Sequence, residues 1–462
     1  MNVFKLNHHE TDQAKEFIID LKTIPEPVEL PLGSLVRRSR QDETENTETP
    51  LAPTAPDIPE PTPPTPEPQP TPTPAVIAAP VPTPETDSET ETDSDTETDS
   101  DTETDSDTET DSDTEPEPEL PPNFDNVVEG NQSNNNLEGS DGRDLISGIG
   151  GDDTLLGFQG DDSLNGNPGN DIIYGGKNDD TLLGENGDDL LQGNRGDDLL
   201  DGGAGNDTFF GGLNEDTLLG GIGSDLLFGD KGDDSLDGGD RNDSLYGGED
   251  DDSLFAGIGN DFLNGNQGND TLDGGADEDV LYGGQDQDSL IGGSGKDLLF
   301  GNKQDDTLDG GADEDILYGG RGDDCLRGGF SSDFISGDKG NDQITGVDPT
   351  ADFPGLVEID TLLGGVGEDT FLLGDESKAY YNNNNDNISG IGDYAVIVDF
   401  DSTQDLIQLK SDDYLFTTSP EGFPLGTAIF LRTSGENELI AILEDVELSI
   451  DESLEDSPIR FI

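Results

Sequence analysis

The sequence predicts an all-β solenoid built from two facing parallel sheets, and three observations predict it. From Gly130 to Thr345 the chain repeats every nine residues with no insertion or deletion, giving twenty-four units. Within that frame the first position is Gly except at Ala256, the sixth is Asp except at Asn135, and the eighth is always Leu, Ile or Phe. A short fixed period of this kind belongs to solenoids, whose units bury an apolar face only by stacking on one another.

The segments that precede the repeat are of a different kind. Residues 1–40 begin MNVFKLNHHETDQAKEFIIDLK, without the apolar h-region of a cleavable signal peptide, and residues 10–22 suit a short helix or a strand equally. His8 and His9 are the only histidines, and the polar stretch around them offers no further ligands, so they read as solvent-exposed. Residues 41–122 read as a disordered linker. PEPTPPTPEPQPTPTP is a polyproline-type spacer, and ETDSDT then recurs four times from Glu91 to Thr114. At about 3.1 Å per residue the extended linker reaches roughly 250 Å. Its D-x-D-x-E spacing lacks the glycine and the bidentate glutamate of an EF-hand, which leaves a solvated stalk.

The solenoid is assigned to residues 123–373, with an interruption at 346–358, and its shape follows from the unit. Glycines at the first, second and fourth positions are expected to supply positive φ, so that six residues turn sharply and present carbonyl oxygens inward. The last three residues, such as Thr154-Leu155-Leu156, are expected to form a strand with one side chain in and two out, making Leu155, Leu164, Ile173 and their successors the core. Successive units run back and forth, so eighteen residues complete one coil, with stacked strands about 4.8 Å apart. Gly130 to Glu138 lacks the aspartate and reads as an N-terminal cap.

Such a coil stacks the sixth-position aspartates in two columns. One holds Asp153, Asp171, Asp189, Asp207, Asp225, Asp243, Asp261, Asp279, Asp297, Asp315 and Asp333. The other holds Asp144, Asp162, Asp180, Asp198, Asp216, Asp234, Asp252, Asp270, Asp288, Asp306, Asp324 and Asp342, and a last full unit, Gly364 to Leu372, adds Asp369. Two carboxylates about 5 Å apart repel by roughly 3 kcal/mol at an effective dielectric of 20, whereas burying one Leu returns about 1.5 to 3 kcal/mol. Ordering nine backbones costs roughly 9 to 18 kcal/mol besides, so the coil requires a cation. Carboxylate and carbonyl oxygens are hard ligands, and the loops hold no Cys or His. Calcium accepts six to eight oxygens in flexible geometry, while magnesium demands a tight octahedron. Many Ca2+ ions are therefore expected, with these aspartates as ligands.

These residues resemble the RTX family, the hemolysin-type calcium-binding repeats of secreted bacterial proteins. GGAGNDTFF and GGSGKDLLF match its motif residue for residue. The resemblance covers about half the chain and extends to the closing segment. It implies a parallel β-roll in which each ion sits between loops two repeats apart. It also implies calcium-free export by type I machinery, directed by an uncleaved C-terminal signal, and an extracellular or cell-surface location.

Departures from the motif are specific. The fourth position is not Gly at Asn178, Asn214, Arg241, Asp250, Asp277, Asp286, Gln304, Asp313 and Ser331. Arg and Gln tolerate left-handed geometry less readily than Asn or Asp, so weaker sites are expected around Arg241 and Gln304. Ile149 and Phe158 at the second position put the first coils in question. A 36-residue superperiod runs over residues 166–345, and the ninth position aligns Tyr174, Phe210, Phe228, Tyr246, Tyr282, Phe300 and Tyr318 on one outer face. Leu183, Leu219, Phe255 and Ile291 alternate with Asp201, Asp237, Asp273 and Asp309 on the other. Mutual packing of neighbouring rings is one reading of the aromatic column, and a lateral association surface the other.

After the interruption, a partial repeat at Asp360-Thr361-Leu362 and the last full unit lead into residues 374–462. YAVIVDF, DLIQL, TAIFL and ELIAIL are separated by turn-rich stretches and predict a small β cap. DTFLLG, IVDF and DLIQL resemble the segment that closes RTX arrays, which places a possible export signal in the last few dozen residues.

Composition narrows the function. A formal charge of −88, with 20 basic against 108 acidic residues, excludes nucleic-acid backbones and anionic membranes as direct partners unless calcium bridges them. Cys325, the one cysteine, allows no internal disulfide, occupies an outward seventh position and reads as a plain surface thiol. No apolar run approaches twenty residues, so no transmembrane segment is expected. There is no H-E-x-x-H and no G-x-S-x-G, and GGSGKD at Gly292 has the wrong spacing for a phosphate loop, so no catalytic role is expected. Two function classes follow. One is a secreted or surface-displayed calcium-binding structural protein that folds on binding calcium, with self-association as its partner mode. The alternative is a calcium-dependent adhesin that binds a glycan or cell-surface partner.

Overall fold

The structure, a computed structural model, describes residues 124–351, 355, 358–382, 393–420, 422–432, 437–448 and 458–462. The expectations for residues 1–40 and for the linker at 41–122 lie outside the described residues.

Consecutive units alternate between two sheets. The first sheet opens with Asn126–Asn131, Asp144–Ile149 and Ser163–Pro168 and takes every second strand as far as Gln343–Val347. It closes with Thr370–Leu372, Leu406–Leu409 and Ile459–Phe461, sixteen strands in all. The second begins with Asn136–Glu138 and Thr154–Leu156 and stacks in parallel through Phe334–Lys339, Ile359–Leu363 and Tyr394–Ile397 to Glu438–Glu444. From there it turns antiparallel into Gly426–Leu431 and Tyr414–Thr418. The partner of each residue lies eighteen positions on, as Phe209 to Leu227 and Leu254 to Leu272. Across the interruption the step lengthens, pairing Ile335 with Leu362 and then Phe371 with Ile407. The eighth-position side chains nonetheless stay in line.

Those side chains are the core. Ile146, Leu155, Leu164, Ile173 and their successors through Ile344 are buried without exception, and Leu362, Phe371, Ile397 and Ile407 continue the two columns. A coil two strands deep gives each unit one inward apolar side chain, which is why the eighth position admits only Leu, Ile or Phe. The roll also starts earlier than the repeat frame. Asn126–Asn131 pairs with Asp144–Ile149 and sets Val128 beside Ile146, although nothing before Gly130 keeps the glycine pattern.

Two expectations about the unit are corrected. Most strands are six residues long, not three, because the ladder continues from the seventh position through the first three of the next unit, as in Thr208–Leu213. Second, the first-position glycines do not have positive φ. They are required by close approach: a Cβ on Gly157 would stand 2.5 Å from Oδ2 of Asp162 and 2.5 Å from the carbonyl of Gly175. Positive φ belongs to the second and fourth positions. All nine fourth-position departures adopt it, including Arg241 at 87° and Gln304 at 69°, and so do Ile149 and Phe158, both at 80°. The coils at those two residues nonetheless form, with Phe158 donating its N–H to Gly175 at 3.0 Å.

The outer faces differ. On the second sheet the ninth-position rings stack, with Phe210 and Phe228 5.1 Å apart, Tyr282 and Phe300 4.7 Å apart, and planes within 8°. Where the ninth position is Asn264 or Ser336, Phe262 and Phe334 fill the column from the seventh, tilting against Tyr246, Tyr282 and Tyr318. The ladder is thus continuous from Phe210 to Phe334, whereas Tyr174, paired with Gln192, stands outside it. On the first sheet Leu183, Leu219, Phe255 and Ile291 alternate with aspartates among Thr and Ser, with Phe255 and Ile291 exposed and Asp309 salt-bridged to Arg327. Among the described residues no helix is long and apolar enough to cross a membrane.

Candidate metal centre

Each aspartate is held by the coil that precedes it. The backbone N–H of Asp153 donates to Oδ1 of Asp171 at 2.7 Å, Asp171 to Asp189 at 2.7 Å, and the relation repeats down both columns as far as Asp324 to Asp342 at 2.8 Å. The backbone of every coil thus fixes the rotamer of the next aspartate, and one carboxylate oxygen is spoken for. The other is not. From Asp153 to Asp342, at every ninth residue, Oδ2 is buried and has no hydrogen-bond partner.

Unpaired buried carboxylate oxygen is expensive, and its repetition calls for a common explanation. Oδ2 points into the space that the absent Cβ of the first-position glycine leaves, and the carbonyl of the glycine eighteen residues on faces the same space. A Cβ on Gly292 would lie 2.6 Å from Oδ2 of Asp297 and 2.6 Å from the oxygen of Gly310. Fourth-position carbonyls of the neighbouring coil crowd the turn as well, that of Asn214 against Gly232 and that of Gly169 against Gly187. A cradle of carboxylate and carbonyl oxygens fits a hard, oxygen-loving cation. Among the described residues no three Asp, Glu, His or Cys side chains form a cage of their own. A cation here would take much of its shell from the backbone.

Without that cation the columns favour protons. Burial, followed by neighbouring carboxylates, raises Asp180, Asp216, Asp252, Asp279, Asp288 and Asp315 to about 8 against an ordinary 3.8. Asp162, Asp171 and Asp198 reach about 6. Asp333 is pushed furthest, to about 10, by burial and then by Asp360 beside it.

The match to a known family agrees with this geometry. A family model for the RTX calcium-binding nonapeptide repeat (four copies) matches residues 123–155, 156–191, 183–218, 213–240, 219–254, 228–263, 255–290, 291–326 and 326–347. The chain is an RTX repeat protein. No curated protein matches it significantly along its length. The RTX array occupies residues 123–347, and its calcium-binding repeats are wound as a β-solenoid.

At its ends the RTX array departs from its own rule in ways the motif does not reveal. The columns begin on neutral residues: Asn126 pairs with Asp144, and Asn135 donates its N–H to Asp153 at 2.7 Å. At the far end Asp333 donates to Asp360 at 3.0 Å, and the Tyr381 hydroxyl then donates to Oδ2 of Asp360. In the other column Asp369 donates to Oδ1 of Asp405 at 3.2 Å, while Oδ2 of Asp405 accepts the N–H of Asp401 at 2.7 Å. Glu358 adds a carboxylate beside Asp333 and Asp360. Its Oε2 accepts the N–H of Ser331 at 3.0 Å, its Oε1 is buried without a partner, and burial raises it to about 8. Sequence reasoning missed Asp360, Asp405 and Glu358. The D-T-L of the partial repeat was the only signal for the first, and an 18-residue count cannot reach the others.

Proposed function

We propose that this protein is an extracellular structural rod whose RTX array folds around a file of calcium ions along each edge. The observation that carries this reading is the pair of columns of buried, unpartnered Oδ2 atoms from Asp153 to Asp342. Each ion would lie between coils, held by sixth-position aspartates and by glycine carbonyls of adjoining turns. Asp144 and Asp369 belong to the same columns, and Glu358 and Asp360 supply an acidic set beside Asp333. Calcium supplies charge neutralisation that the chain itself, at −88, cannot provide. Where calcium is scarce, the aspartate columns hold the chain open. Secretion in the calcium-free state by type I machinery is consistent with this, as is an outside location, where calcium is abundant.

A structural role is consistent with where the polar groups go: among the described residues the carboxylates with raised pKa are spread along the edges of a repeat. Circular dichroism of the full chain tests the reading. Strand signal in calcium that collapses in chelator is expected, and an unchanged folded spectrum in chelator at neutral pH would remove it.

A further inference from the structure

We infer that the aromatic face of the second sheet is the interface of a two-fold dimer, in which a second copy of this chain lies face to face with the first, long axes parallel and strands antiparallel. This rests on the calcium-folded rod proposed above.

An apolar stripe runs the length of the face, with Thr208, Asp230, Ser244 and Asn264 beside it. Beside the ladder from Phe210 to Phe334 lie Leu190, Leu226, Val280, Leu298 and Ile316, all only partly covered. Six-residue strands and coils about 4.8 Å apart make the whole sheet face from Leu190 to Phe334 about 20 Å by about 40 Å, or about 800 Å² per copy, the area each partner of a stable complex buries, with the apolar stripe of seventh and ninth positions filling roughly half of it.

The rings argue against a sugar as the occupant. A sugar stacks on the face of an aromatic ring, and at the stacked contacts those faces are covered by neighbouring rings at 4.7 to 5.3 Å, leaving edges outward, while Phe262 and Phe334 tilt against their neighbours. Edges and flanking aliphatic side chains suit another apolar sheet.

The rims of the face point to the same chain. Where the second-sheet strands end, the third position carries Lys177, Arg195, Lys231, Lys303, Arg321 and Lys339, a mostly basic row in a strongly acidic protein that Leu213, Glu249, Gln267 and Gln285 interrupt. All six are exposed, and of them only Lys231 has an ion pair, with Glu249 at 2.5 Å, among the described residues. Where the same strands begin, the rim carries Asp152, Asp188, Glu278 and Glu314, all exposed, among neutral residues and Lys296. A two-fold axis along the roll lays the basic rim of each copy over the acidic rim of the other at the same coil. Arg195 then meets Asp188 of the second copy, and Arg321 meets Glu314. Lys303 meets Lys296 of the other copy, a clash, and Glu314 is shared between Lys296 of its own copy and Arg321 of the other. The opposite two-fold, across the strands, would set basic rim on basic rim. Electrostatic complementarity of this kind fixes register.

Sedimentation of the full chain in calcium tests the dimer, with circular dichroism confirming that each variant is folded. A dimer is expected, weakened at least tenfold by Leu226→Lys and by Arg195→Asp, unaffected by Thr217→Lys on the first sheet, and restored when Arg195→Asp is combined with Asp188→Arg. A calcium-folded monomer at every concentration would overturn the inference while leaving the calcium reading intact. So would a dimer weakened by Thr217→Lys alone, or a monomer that uses the aromatic face to bind an anionic polysaccharide.

Discussion

The hydroxyl of Tyr381 donates to Oδ2 of Asp360, the oxygen that each aspartate from Asp153 to Asp342 leaves without a partner. A protein donor thus closes the column where the motif stops, and the other column closes on the N–H of Asp401. Tyr381 is completely buried and comes from a segment with no repeat character. Removing its hydroxyl leaves a buried carboxylate oxygen unpaired, so Tyr381→Phe is expected to cost about 1 to 3 kcal/mol. Denaturant unfolding in saturating calcium measures it, and an unchanged midpoint would show that the plug contributes nothing.

Charge and hydrogen bonding separate at Asp234. Its Oδ1 accepts the N–H of Asp216 at 2.7 Å, and its Oδ2 is free. Asp234→Asn keeps the acceptor and removes the charge, whereas Asp234→Ala removes both. Both variants are expected to need more calcium for half-maximal folding, and the alanine to lose roughly 1 kcal/mol or more beyond the asparagine. Equal behaviour of the two would mean that the backbone ladder is incidental.

The raised carboxyl pKa values predict acid-induced folding without calcium. A group at 3.8 in the unfolded chain and about 6 to 8 in the fold binds more protons when folded, so its contribution is complete below about pH 4 and is lost as pH rises through 6 to 8. In chelator, strand signal is expected to grow as pH falls from 8 to 5, and in calcium the half-saturating concentration should rise over the same interval. A chelated chain equally unfolded at both ends of that range would contradict the desolvated columns.

Strain is stored at Arg241 and Gln304, whose φ values of 87° and 69° suit glycine. Arg241→Gly and Gln304→Gly, which restore the repeat, are each expected to stabilise the calcium form by about 1 kcal/mol, offset in part by the entropy that glycine adds to the unfolded chain. A shift in thermal midpoint reads this, and loss of stability would assign those side chains a contact that outweighs the strain.

Much of the roll was legible because a nine-residue period leaves each position one environment. Leu155 and Leu254 are both buried core, and Asp153 and Asp252 both present the same free oxygen. Glycine was legible as a requirement but not as a reason, since Gly157 is needed for room and not for φ. The ladder was only partly legible: Phe262 and Phe334 reach it from the seventh position, and a rule that counts one position per unit cannot see side chains from two positions meeting above one strand.

By itself the sequence determined the all-β solenoid, its eighteen-residue coil, its leucine core and the two aspartate columns, because a strict repeat makes every contact a contact between equivalent positions. The tertiary structure decided which carboxylate oxygen the backbone takes, and how the columns end. Asp360, Glu358, Tyr381 and Asp405 come from segments with no common period. Only the longer steps between paired strands at the end of the roll bring them into line with Asp333 and Asp369.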